Sequence, residues 1–380
     1  MIRADDAGAG VFHPTATTHR TGALTLAGSY YTSPDILAEE TERIFARQWV
    51  CVGRTDRLAE PGSYFVRTIA GESLIFLRDR SGTLHAFLNV CRHRGTRLCA
   101  EESGRLSETI QCPYHAWTYA TDGRLIGAPH MQDVAGFDKK DYPLHQAAVA
   151  EWEGFLFVNL ADGPPSFEET HSRLLGRFAR FGLARLAVGH RVGYDVAANW
   201  KLVFQNYSEC LHCPVIHPEL SARMPYQSGA NDLVEGPVLG GYLCIAEPNA
   251  SMTMSGKACA RPIAELSADD RRRAYYYTVM PNLMLSIQPD YVTYYLLWPV
   301  SPTATRVESE WLFHPEAFGR PDFNPADAIE FWDVTNRQDW RITGESQLGI
   351  ASRRYTPGPY SARESMPAAW DREYLRVMGR

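Results

Sequence analysis

The sequence predicts an α+β protein in which a small all-β segment precedes a larger half of mixed helix and strand. Three observations carry this expectation. From about Trp49 to Leu160 the chain runs in short β stretches (SYFVRTI, SLIFLRD, LHAFLNV, GFLFVNL), punctuated by turn sequences such as DRSGTL and ATDGRL. Beyond Leu160, helical spacing alternates with long strand-like runs. Both tight Cys/His groupings, Cys91–His93 and Cys112–His115, fall inside the β segment.

Element by element, SPDILAEETERIFARQW opens with Ser and Pro and carries acids early and bases late. Ile36, Leu37, Ile44 and Phe45 are spaced for a helix there. The β segment follows, and ADGPPS is its expected exit linker. SFEETHSRLLGRFARF reads as helix, and RVGYDVAANWKLVFQNYSECLHC as a strand running into a helix. AYYYTVMPNLMLSIQPDYVTYYLLWPV and RVESEWLF read as long strands of a curved sheet. Asn324-Pro325 is expected to cap a helix through ADAIEFWDVTNRQDWRITGESQ.

With 380 residues, 45% of them hydrophobic, the chain can bury a large core. A net charge of -6 offers no basic footprint for nucleic acid. The start, MIRADDAGAGVF, lacks the apolar core of a signal peptide, and YVTYYLLWPV is too short and polar to span a bilayer. The expectation is a cytoplasmic protein with no nucleic-acid or membrane partner. In that reducing setting, clustered Cys and His point to metal rather than to bridges. Cys51, Cys244 and Cys259 are expected to be plain buried residues.

Cys91, His93, Cys112 and His115 sit at tight turns, with Gly95 and Pro113 permitting the close returns. Two Cys and two His suit zinc, or a [2Fe–2S] cluster in which His replaces Cys on one iron. The short Cys-x-His spacing, on loops of a β domain rather than in a small finger, favours the cluster. A second constellation lies in NWKLVFQNYSECLHCPVIHPE. Glu209 and His212 would share one helical face, and Pro214 would break the helix so that His217 swings back. Two imidazoles with a carboxylate from elsewhere would form the facial triad of non-haem Fe(II) oxygenases; two core histidines are the plain alternative. Asn206 is a further candidate catalytic residue of this segment. On the C-terminal helix, Asp339 shares a face with Trp332 and Asn336, whereas Asp333 is rotated about 100° away.

CRHRG…CPYHAW resembles the Rieske signature of the aromatic-ring-hydroxylating oxygenase α subunits, and the His212/His217 segment resembles the mononuclear-iron motif of the same family, in the same order. The resemblance implies an all-β Rieske domain, 49–160, inserted in a helix-grip catalytic domain formed by 1–48 and 161–380, and a homotrimer. It implies that Cys91 and Cys112 hold one cluster iron and His93 and His115 the other, with Cys99 left to packing. NRQDWRITGESQLG resembles the family's ligand-bearing helix, with Asp339 as third iron ligand and Gln347 eight positions on. It further implies O₂ as co-substrate and a separate NAD(P)H-dependent reductase of flavin or ferredoxin type, whose acidic face Arg92, Arg94 and Arg97 would meet unless they are merely solvated. Glu209 would bridge His212 to His115 of a neighbouring chain for electron transfer, where the family more often has Asp.

For the substrate, the aromatics Phe204, Tyr275, Tyr276, Tyr277, Tyr291, Tyr294, Tyr295 and Trp298 read as ordinary core or as an aromatic box, with Phe204, Tyr291 and Tyr295 as the pocket candidates. MPNLMLSIQPDYV with FWDVTNRQDW looks most like the choline and glycine-betaine monooxygenase branch, which implies hydroxylation or N-demethylation of a small quaternary ammonium compound. An aromatic ring hydroxylase or O-demethylase is the alternative. A metal-stabilised binding module and a pure electron carrier are the readings from other classes.

Overall fold

The β runs of the first half become a seven-stranded antiparallel sheet in the computed structural model, which describes residues 11–380. The start of the chain and its expected lack of a signal peptide lie outside the described residues. The strands follow the order Val50–Arg54, Phe155–Asn159, Gln146–Trp152, Leu84–Leu88, Glu72–Arg78, Ser63–Ile69 and Ser103–Arg105. A smaller three-stranded sheet, Thr109–Gln111, Thr118–Ala120 and Leu125–Gly127, completes this unit, which spans Thr41–Ser166. The turn glycines Gly82 and Gly123 both take positive φ, as these tight reversals require.

The other unit combines the chain up to Glu40 with Phe167–Arg380. Its eight-stranded antiparallel sheet runs His13–Pro14, Ala230–Leu233, Val238–Cys244, Arg273–Val279, Leu283–Ile287, Val292–Ser301, Ala304–Phe313 and Ala187–Val196. Helices Trp200–Tyr207, Pro325–Ile350 and Ser365–Met378 pack with it. The most apolar run of the sequence is thus a buried central strand, and no helix of the described residues is long and apolar enough to cross a membrane.

Four sequence expectations need correction. SFEETHSRLLGRFARF is not one helix but short turns, Phe167–Thr170, Ser172–Leu174 and Ala179–Phe181. Phe167, Leu174, Phe178 and Phe181 are buried at near-helical spacing, but Gly176 and Gly182 adopt left-handed φ and interrupt the run after the second and third turns. Asn324 begins the long helix without a side-chain cap bond. Cys244 is only half-buried, unlike Cys51 and Cys259. One bridge is present where none is expected, between Cys210 and Cys213.

The helix Trp200–Tyr207 matters most, because the second constellation follows it. Asn199 caps it by accepting from Lys201 N (3.0 Å). Buried Glu40 then takes three bonds: from Trp200 Nε1 (2.8 Å), Lys201 Nζ (2.6 Å) and Tyr374 Oη (2.6 Å). Burial draws the Lys201 pKa down to about 8 even against the opposing pull of Glu40. Deleting Glu40 would strand a buried ammonium, at a cost of about 3–5 kcal/mol.

Candidate metal centres and their pocket

Two loops of the β unit are built alike. Cys91 N donates to Thr96 O (2.9 Å) and Gly95 N returns to Cys91 O (3.0 Å). Cys112 N donates to Trp117 O (2.8 Å) and Ala116 N returns to Cys112 O (3.1 Å). Each loop therefore turns through a left-handed residue four positions after its cysteine, Gly95 (φ 73°) and Ala116 (φ 57°). Both cysteines are buried, unbridged thiols. The His93 and His115 rings lie 4.8 Å apart, edge to face, and His93 stacks on Trp117 at 4.8 Å.

These residues fit an iron–sulfur cluster. Burial raises the Cys91 pKa above the ordinary thiol value, an unfavourable setting for a thiolate without a metal. His93 Nδ1 is buried without a hydrogen-bond partner among the described residues, as a nitrogen aimed at a metal would be. Tyr119 Oη accepts from Arg92 N (3.0 Å) and lies within hydrogen-bond reach of Cys91 Sγ, 3.3 Å away. Cys99 packs in the same apolar cluster, its pKa pushed up to about 11 by burial. Arg92 donates to Pro143 O, and the guanidinium of Arg94 lies 5.5 Å over the Tyr114 ring.

In the larger unit the helix ends at Tyr207, so Glu209 and His212 do not share a helical face as the spacing predicts. They meet in the turn that follows. Glu209 Oε2 accepts from Leu211 N, and its Oε1 lies 2.5 Å from His212 Nδ1. Pro214 starts a new short helix, Cys213–Ile216, rather than breaking an old one, and His217 sits at its C-terminal end. The Cys210–Cys213 disulfide closes this turn around His212. It also removes Cys213, whose sulfur lies near both imidazoles, from use as a thiolate ligand.

Asp339 reaches this turn from the long helix. Its Oδ1 lies 2.9 Å from His217 Nε2 and 3.3 Å from His212 Nε2. The opposite ring nitrogens are held from outside: His212 Nδ1 by Glu209 and His217 Nδ1 by Gln338 Oε1 (2.7 Å). With both Nδ1–H groups donated outward, both Nε2 atoms face the Asp339 oxygen, the positions from which they would ligate a metal once its binding displaces their protons. Two imidazoles and one carboxylate converging in this way fit a facial iron site. Without a metal the two carboxylates keep a proton on His212: burial would lower its pKa, but Asp339 and Glu209 lift it to about 10. Although burial opposes the Asp339 charge, the two histidines hold that pKa below the usual value. A bound cation would take the place of the His212 proton. Asp333 lies elsewhere, bound by Tyr194 Oη and Arg337 Nε at 2.8 Å each.

A cavity of about 130 Å³ opens on this site, roughly ten times what one water needs, so it admits a small organic molecule. Glu209, His212, His217 and Asp339 line it together with Tyr207, Tyr226, Tyr242, Tyr276, Tyr277 and Trp332. Asn206 also lines it, its Nδ2 3.4 Å from His212 Nε2. The pocket candidates Phe204, Tyr291 and Tyr295 do not. Phe204 stacks on Trp370, Tyr291 spends its hydroxyl on Met252 O and Trp332 Nε1, and Tyr295 packs behind Tyr207. They are support for the wall rather than the wall itself, because their burial against neighbouring layers leaves no face toward the cavity.

Sequence reasoning missed Tyr119 and Gln338, which bond to Cys91 and His217. Gln338 adjoins Asp339 in sequence, and that adjacency was the available signal. It also missed the role of Gln347, whose Oε1 accepts from Asn199 N (2.9 Å) and ties the long helix to the cap of the preceding helix.

Comparison with known proteins agrees with both centres. Residues 48–138 match the Rieske [2Fe-2S] domain, and residues 183–380 match the ring hydroxylating alpha subunit catalytic domain. The chain is 30% identical over 377 residues to the glycine betaine monooxygenase oxygenase subunit of Pseudomonas aeruginosa, covering 90% of this chain and 86% of that one. It is 37% identical over 203 residues to the carnitine monooxygenase oxygenase subunit of Acinetobacter baumannii, about half of each chain (52% and 53%). The solved quaternary ammonium Rieske monooxygenase CntA in complex with L-carnitine superposes with a TM-score of 0.77 at 25% identity, covering 94% of this chain and 96% of that one. Naphthalene 1,2-dioxygenase, at 18% identity and TM-score 0.73 over 94% and 92%, shares the fold.

Proposed function

Because the chain belongs to the family of Rieske-type ring-hydroxylating oxygenase α subunits, we propose that it is a monooxygenase acting on a small, glycine-betaine-like quaternary ammonium compound. The observation that carries this reading is the lining of the cavity. Five tyrosines and Trp332 share the cavity with the His212–His217–Asp339 site. Aromatic faces attract a trimethylammonium group electrostatically, and the attraction strengthens where water is excluded. The relatives named for glycine betaine, carnitine and choline point the same way.

The cofactors supply one-electron transfer at the cluster and O₂ activation at the iron. This chain's own residues hold the imidazoles in one tautomer, orient the ammonium and exclude water. In the net reaction one methyl C–H becomes C–OH, and O₂, two electrons and two protons yield the hydroxymethyl ammonium and water. Loss of formaldehyde then leaves the demethylated amine. The electrons come from a separate NAD(P)H-dependent reductase in the cytoplasm. Glu209 links the centres across a homotrimer, accepting from His212 Nδ1–H on one side and from His115 of the partner subunit on the other.

Binding of glycine betaine against its uncharged tert-butyl isostere tests the substrate reading. The cation is expected to bind about tenfold more tightly, since only it gains the ring attraction. Equal binding, or turnover of arenes alone, would move the assignment to a ring hydroxylase or O-demethylase. Glu209→Gln tests the bridge: both metals should stay bound and the donor should still reduce the cluster, while turnover falls by orders of magnitude. An unchanged single-turnover rate of cluster oxidation in that variant would refute it.

A further inference from the structure

The cavity has one charged lining residue outside the metal site. Arg363 is the only Lys or Arg among its described lining residues, and it comes from an element that carries no metal ligand. Its backbone is held by a capping box: Arg363 N donates to Ser361 Oγ (3.3 Å), and Glu364 Oε2 accepts from Ser361 N (2.8 Å). The adjacent carboxylate is therefore occupied in capping rather than pairing with the guanidinium. The Arg363 guanidinium lies 5.8 Å over the ring of Tyr226, another lining residue. No ion pair joins Arg363 to a carboxylate among the described residues. By contrast, Arg376, on the helix that follows, pairs with Glu373.

A guanidinium beside an aromatic-lined cavity, with its local carboxylate already engaged, is suited to bind a ligand carboxylate in fork geometry. The reacting end of the ligand is set by the metal site, because the methyl to be oxidised must face His212, His217 and Asp339. A carboxylate at the other end of the same molecule is then free to meet a group from another element.

We propose that Arg363 is a specificity-determining residue that binds the carboxylate of a zwitterionic ammonium substrate, so that the pocket selects betaines over cationic alcohols such as choline. The proposal rests on the quaternary-ammonium reading above. It predicts a charge rule: trimethylammonium compounds with a carboxylate bind well, and those ending in a neutral hydroxyl bind poorly.

Calorimetry on the holoenzyme with glycine betaine, γ-butyrobetaine and choline tests it. The unsubstituted protein is expected to prefer the betaines by about tenfold, one charge-assisted contact at a partly open site. Arg363→Gln should weaken the betaines by about that factor and leave choline within about twofold. Arg363→Lys should recover part of the loss, since it keeps the charge without the fork. Cluster absorbance and iron content serve as the folding control, and Arg363→Lys keeps the test decisive if the Gln variant misfolds. Equal weakening of betaines and choline, or no weakening of either, would overturn the proposal. Binding of neither class by the unsubstituted protein would instead sink the quaternary-ammonium reading, and this proposal with it.

Discussion

The two metal regions are built on opposite principles. In the β unit, four candidate ligands come from two short loops, each closed by its own backbone bonds and each passing through a left-handed residue. In the catalytic unit, two histidines in an irregular turn meet a carboxylate supplied by a helix far along the chain. Their orientation depends on side chains, Glu209 and Gln338, rather than on backbone. A local loop can present ligands before the rest of the protein is assembled. A site made from distant elements exists only once the sheet and long helix have packed.

The sharpest way to break the comparison is at the thiols. Cys91→Ser or Cys112→Ser should abolish the [2Fe–2S] absorbance, because a hydroxyl is a poor substitute for a thiolate on iron. Cys99→Ser should keep it, since Cys99 fills the apolar cluster beneath the loops. Equal bleaching by Cys99→Ser, read by absorption spectroscopy, would overturn the assignment.

Removing the distant carboxylate should be nearly as severe, but confined to one centre. Asp339→Ala is expected to lose mononuclear iron and turnover while the Rieske spectrum persists. Asp333→Ala should keep most of its iron, because that carboxylate is spent on Tyr194 and Arg337. Metal analysis with the pattern reversed would move the ligand to Asp333.

The smallest effect concerns the matched loops. Gly95→Ala should cost about 1 kcal/mol, the strain of a Cβ at positive φ. Ala116→Gly relieves the same strain and is expected to be neutral or stabilising by up to about 1 kcal/mol, offset by glycine's larger unfolded-state freedom. Chemical denaturation followed by cluster absorbance measures both; destabilisation by Ala116→Gly would show that the loops are not equivalent.

How far the site was legible follows from the same contrast. The Cys/His loops stand out because ligand spacing in a tight turn is itself a sequence pattern. Asp339 could be preferred over Asp333 from the helical period, since one face of a long helix is a sequence property. The helix expected beneath Glu209 and His212 was not there. Their pairing survives because Glu209 accepts from Leu211 N, a turn bond that spacing does not reveal. The pocket was least legible: of eight aromatics singled out, only Tyr276 and Tyr277 line the cavity.

By itself, then, the sequence determined the α+β class, the strand-rich segment carrying both Cys/His loops, the long C-terminal helix and the residue types able to hold two metal centres. All of these depend on neighbours in the chain, through turn chemistry, periodicity and ligand spacing. Tertiary structure alone decided that Gln338 orients His217, that Gln347 anchors the cap of the helix before His212, and that Arg363 borders the cavity while Tyr291 stands behind its wall. Those outcomes join residues from 41 to 148 positions apart, and only close packing of the sheet against its helices determines which side chain faces which.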